Sequence, residues 1–167
     1  FVSWKSSDSK IASVSDGKVT AKGVGRATIT AYTTGGKNVK CTVTVKGKIS
    51  DSSISTIKTQ SYTGKAVSPA PAVTYGGKKL VKNTDYTVSY SKNTAIGQAS
   101  VKITGKGLYK GTKTVNFNIR PATVTKLKVS STGEKSVKLS WKKVTGADSY
   151  AIYRYDNTSK KWQRIKT

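Results

Sequence analysis

This chain of 167 residues contains no histidine, so its seven carboxylates are the first candidates for acid–base or metal chemistry. They are Asp8, Asp16, Asp51, Asp85, Glu134, Asp148 and Asp156, isolated from one another, with no pair at ligand spacing and no calcium-loop pattern. The missing imidazole excludes the usual serine and cysteine triads and removes the commonest metal ligand. The scattered carboxylates offer no pair for glycoside hydrolysis. Turn chemistry accounts for Asp16 in Asp-Gly and Asp156 in Asp-Asn, and Asp85 precedes a strand. No catalytic residue, metal site or cofactor is expected, and the chain reads as a non-enzyme.

The single cysteine, Cys41, excludes an internal disulfide and falls on the inward face of its strand, so it is expected as a buried, inert thiol. The run Gly105–Thr112, GKGLYKGT, has the glycines and lysines of a phosphate cradle. It lies between two strands and opens no helix, which favours a hairpin connection with Tyr109 tucked onto the sheet end.

The cations are the outstanding bulk property: 31 Lys+Arg against seven acids give a net charge of +24. The excess runs along the whole chain, with eight basic and two acidic residues in 1–47, twelve and two in 48–120, and eleven and three in 121–167. Such a field attracts polyanions. Lysine supplies 27 of the 31, and only Arg26, Arg120, Arg154 and Arg164 carry the planar fork on which base readers rely. Specific nucleic-acid recognition is therefore not expected. A solvated β-surface whose edges are guarded by lysine is the first reading. The second is polyanion contact through Lys78, Lys79, Lys106, Lys110, Lys142 and Lys143.

The elements that position these residues are strands. From Gly23 to Lys46, Ala27, Ile29 and Ala31 alternate with Thr28, Thr30 and Tyr32. After the turn Thr34–Lys37, the residues Val39, Cys41, Val43 and Val45 alternate with lysines and threonines. Side chains on a strand point to opposite faces in turn, so this is a hairpin with one apolar face. Asp16-Gly17 predicts a second hairpin between Val14 and Val19. Gly47–Ser55 reads as a polar linker or as the first turns of the next module. Short strands follow around Val73–Tyr75, Tyr86–Tyr90, Ala99–Ile103 and Val115–Ile119, with Pro69 and Pro71 bracketing an extended edge. No window shows helical periodicity, and no apolar run reaches the length of a membrane span. The fold class is all-β.

Three resemblances refine this. Trp4–Ser7, Ile11–Val14, Gly17–Ala21 and Gly23-x-Gly25-x-Ala27-Thr28-Ile29 resemble the bacterial immunoglobulin-like group 2 family. Tyr62–Lys65, Asp85–Tyr90, Gly97-x-Ala99-x-Val101-x-Ile103 and Gly105–Thr112 resemble the immunoglobulin-like repeats of clostridial surface proteins. Leu127–Val129, Ser136–Trp141, Val144–Ala147 and Ser149–Arg154 resemble a fibronectin type III domain. The resemblances imply tandem immunoglobulin-like β-sandwiches at 1–47, 48–120 and 121–167, with Arg120-Pro121-Ala122 as a hinge. The first domain would be entered part-way and the third left part-way, as in a segment of a longer protein. Trp4, Cys41, Tyr86, Phe117, Trp141 and Tyr150 are the expected core anchors. An exposed Trp4 would instead make a sugar-stacking platform, and a lysine–asparagine crosslink, known from some surface sandwiches, would need Asp85 as its helper acid.

The function these resemblances imply is a stalk or adhesin segment, secreted or cell-wall associated, that spaces or presents flanking domains. Its expected partners are cell-wall or host-surface polyanions or glycans, held weakly and salt-dependently. Accessory modules of a large secreted hydrolase, or a polyanion- or glycan-binding module, including one that decorates phage particles, are the alternatives.

Overall fold

The computed structural model describes residues 2–133 and 136–167. Glu134, one of the seven carboxylates, lies outside the described residues. The strands in chain order are β1 (Val2–Ser6), β2 (Ala12–Ser15), β3 (Lys18–Ala21), β4 (Gly25–Thr33), β5 (Asn38–Val45), β6 (Gly47–Lys48), β7 (Ser53–Ile54), β8 (Gln60–Ser61) and β9 (Val73–Tyr75). They continue as β10 (Lys78–Lys79), β11 (Tyr86–Ser91), β12 (Gly97–Gly105), β13 (Tyr109–Lys110), β14 (Thr112–Arg120), β15 (Lys128–Gly133), β16 (Ser136–Ser140), β17 (Ile152–Asp156) and β18 (Lys161–Lys166). A 3-10 turn at Ile49–Asp51 is the sole helical element among the described residues. The fold is all-β, in small sheets of two to four strands.

Two compact units form. One comprises Phe1–Thr56, Ala70–Tyr90 and Val101–Val115, the other Ile57–Pro69, Ser91–Ser100 and Asn116–Thr167.

In the first unit, β1, β4 and β5 form a three-stranded antiparallel sheet with β4 at its centre. The hairpin register pairs Ile29 with Cys41 and Ala27 with Val43. β2 and β3 make a separate ribbon across the Asp16-Gly17 turn, pairing Val14 with Val19. Both turn residues have positive φ, 48° and 78°, which the twist of a two-residue hairpin requires and which Asp and Gly tolerate. Ala12, Ala27 and Ile29 form the core beneath, with Ile11, Val14 and Val43 packed against them.

Two expected anchors of this module are not buried. Cys41 is exposed, because β5 is an outer strand and the packed cluster reaches Val43 but stops short of Cys41 and of Val39, which is 74% exposed. Trp4 is 40% exposed. It stands on the other outer strand, and its indole lies over the hairpin turn, with Cζ2 3.3 Å from where a Cβ on Gly17 would sit.

The segment that follows is built in. Gly47 and Lys48 pair in parallel with Tyr109 and Lys110, Ile49 is fully buried, and Ser52 closes the 3-10 turn by donating its N–H to the Ile49 carbonyl. Gly47–Ser55 is thus packed into the first unit by a short strand, a 3-10 turn and a buried isoleucine. Val73, Leu80, Tyr86, Val101, Ile103 and Tyr109 are buried in the same unit.

In the second unit, the end of β14 pairs in parallel with β8, Ile119 beside Gln60. Phe117, Ile119 and Val144 are buried. β15 pairs with β16 and β17 with β18, each as a two-stranded antiparallel ribbon.

Candidate polyanion-contact surfaces

Four of the six lysines expected to meet polyanions lie in the first unit. Lys78 and Lys79 are exposed on β10, reached through the Gly76-Gly77 turn, opposite Tyr75 and Thr74. Lys110 is exposed on β13 and stands in register with Lys48, so parallel pairing puts two cations side by side. Lys48 was not singled out from the sequence, where nothing links it to a lysine so far along the chain. Lys106 turns back on its own unit and donates its ammonium to the Asn83 carbonyl at 2.8 Å.

The glycine-rich loop is a connection, and three of its amides are committed internally. Gly105 N–H donates to Gly111 O at 2.9 Å, Lys106 N–H to Asp85 O at 2.9 Å, and Tyr109 N–H to Lys106 O at 3.0 Å. Tyr109 is buried and meets Tyr75 edge-on, ring centroids 5.4 Å apart. Burial raises the Tyr109 phenol above its ordinary value, with Asp85 and Tyr75 adding to the rise. Tyr86 shifts the same way, through burial first and Asp85 second. Asp85 spends a carboxylate oxygen on the Val81 N–H at 2.8 Å, the role of a turn residue.

Lys142 and Lys143 lie in the second unit, exposed after β16. Beside them Trp141 and Tyr150 meet edge-to-face, centroids 5.1 Å apart, and the Tyr150 hydroxyl accepts the Val144 N–H at 2.7 Å. Both rings are half-buried. Rather than filling a closed core they line an open groove of about 880 Å³ with Val137, Leu139, Ile152 and Ile165.

The other face of the β17–β18 ribbon carries a feature to which the sequence reading gave no role. Tyr155 pairs with Trp162 and Tyr153 with Arg164, so these four side chains share one face. Tyr155 and Trp162 meet edge-to-face at 5.3 Å. Trp162 is 68% exposed, Tyr153 52% and Tyr155 42%. The alternation Tyr153-x-Tyr155 was the available signal; what hid it was that both faces of this strand carry large side chains. The ribbon's acid, Asp156, accepts hydrogen bonds from Thr158 N–H, Ser159 Oγ and Gln163 Nε2. The Ser159 hydroxyl and then the Thr158 amide hold its carboxyl below the usual carboxylate value.

Among the described residues no three of Cys, Asp and Glu gather where they would hold a metal ion. No helix among them is long and apolar enough to cross a membrane. No protein-family model matches this chain, and no curated protein matches it.

Proposed function

We propose that this chain is a non-catalytic, modular segment of a secreted or cell-surface bacterial protein, built of tandem immunoglobulin-like sandwiches that space or present other domains. Its basic surface draws in cell-wall or host-surface polyanions through salt-dependent attraction. The observation that carries the spacer reading is how the junctions are made. A Cβ on Gly47, between the first two modules, would meet Tyr109 at 2.9 Å, Tyr75 at 3.0 Å and Val24 at 3.0 Å. One on Gly146, in the third module, would meet Tyr62 at 2.5 Å and Ile96 at 2.7 Å. Tyr75 and Tyr109 of the second module close on Gly47 together with Val24 of its own, and Tyr62 and Ile96 of the second close on Gly146, whereas a free linker would be solvated.

Small-angle scattering of the purified chain tests the spacer. A narrow distribution of sizes supports it, and a broad one, as for beads on a flexible string, contradicts it. The charge makes a second demand. Binding to a polyanion such as polyglycerol phosphate should fall steeply between low and high salt, since each neutralised phosphate releases counterions. Binding that ignores salt contradicts that half of the reading.

A further inference from the structure

We infer that the exposed face of the β17–β18 ribbon, formed by Tyr153, Tyr155, Trp162 and Arg164, is a contact site for an acidic polysaccharide. The inference rests on the polyanion reading above and assigns it a place and a ligand class. Three aromatic rings on one small face stand in water although each would gain by being covered. A pyranose ring presents C–H groups on its flat side, which an open indole face accepts, and its sulfate or carboxylate needs a cation within reach. Arg164 supplies that cation on the same face, in register with Tyr153. Lys160, exposed in the turn that joins the two strands, adds positive charge at the end of the ribbon. The ribbon's acid, Asp156, is in register with Lys161 one position along from Tyr155 and so belongs to the opposite face, where Thr158, Ser159 and Gln163 donate to it.

The geometry favours a glycan over a single-stranded nucleic acid. Stacking successive bases needs ring faces that lie open along the strand. Here Tyr155 and Trp162 are inclined at 64°, so one ring turns its edge to the other, and the pair offers a single broad platform. One platform with one guanidinium beside it suits one acidic sugar residue at a time.

The test is titration of the whole chain with a sulfated oligosaccharide of defined length, and separately with oligo-dT of matched charge, at low salt. Trp162→Ala, Trp162→Phe and Arg164→Gln are compared with Lys142→Gln/Lys143→Gln, and each variant's fold is checked by its melting curve. Trp162→Ala is expected to weaken the glycan about tenfold with an unchanged salt slope. Trp162→Phe should recover part of that loss. The lysine double variant should flatten the salt slope and cost less affinity. If Trp162→Ala and Arg164→Gln bind like the parent while binding stays salt-dependent, the site is wrong and diffuse polyanion attraction stands. If oligo-dT binds more tightly than the glycan and is the ligand that Trp162→Ala weakens, the ligand class is wrong. If the parent chain binds neither polymer, the site and the polyanion reading fall together.

Discussion

Gly47 and Tyr109 share a space that has no room for a methyl group: a Cβ on Gly47 would stand 2.9 Å from Tyr109 Cδ1. The two residues are also register partners in the parallel β6–β13 pairing, and the Gly47 N–H donates to the Leu108 carbonyl at 3.0 Å. The Gly47→Ala variant is therefore expected to lose about 1–3 kcal/mol, the usual cost of overfilling a packed site. Gly35→Ala is the control, because nothing lies within 4 Å of its Cβ position. Urea unfolding of both variants checks this, and equal stabilities would contradict it.

Lys113 holds the turn after Gly47 in place. Its ammonium donates to the carbonyls of Ser50 at 2.9 Å and Ser52 at 2.6 Å. Lys113→Met keeps the stem and removes both bonds, and should cost about 1.5–3 kcal/mol for the loss of charge-assisted hydrogen bonds. The Ser52 hydroxyl, by contrast, is buried with no hydrogen-bond partner, so Ser52→Ala should be neutral or mildly stabilising. A Ser52→Ala loss as large as that of Lys113→Met would show the turn to be held otherwise.

The alternation of apolar residues predicts the hairpin between Gly23 and Lys46, and the structure has it, with Ile29 opposite Cys41. Asp16-Gly17 predicts its turn equally well, because the positive φ of both residues is a local demand. Period-two patterning says which side chains share a face; it does not say whether a second layer covers that face. Cys41 and Trp4 stand on the two outer strands of their sheet: Cys41 is exposed, and Trp4, which meets only the edge of the β2–β3 ribbon at the Gly17 turn, is 40% exposed. The pairing of Lys48 with Lys110 was illegible for another reason. Two-residue parallel contacts between distant segments leave no periodic trace in either.

The thiol of Cys41 should accordingly react with a bulky maleimide in the native protein, to completion and at a rate that denaturant hardly changes. Protection that disappears only on unfolding would restore the buried-thiol expectation.

Alkaline titration separates the tyrosines. Burial is the leading cause raising Tyr86, Tyr90 and Tyr109 above the ordinary phenol value. In the unfolded chain these phenols ionise near pH 10. Their neutral forms therefore favour the folded state fully below that pH, and the contribution is lost as pH rises through the higher folded values. Absorbance of phenolate should show a late group among the nine tyrosines, coming with or just before unfolding. A single early step for all nine would contradict the burial of these three.

Native-state hydrogen exchange at the two proposed module junctions tests the spacer proposal most directly. The Gly47 amide donates to Leu108 O at 3.0 Å and the Tyr62 amide to Arg120 O at 2.8 Å, and each lies beside an enclosed glycine. If the junctions are built into their units, both amides exchange slowly, on the scale of core amides such as Ile29. Exchange at the rate of an exposed loop such as Gly35-Gly36 would mean loose junctions, and the spacer account would fail.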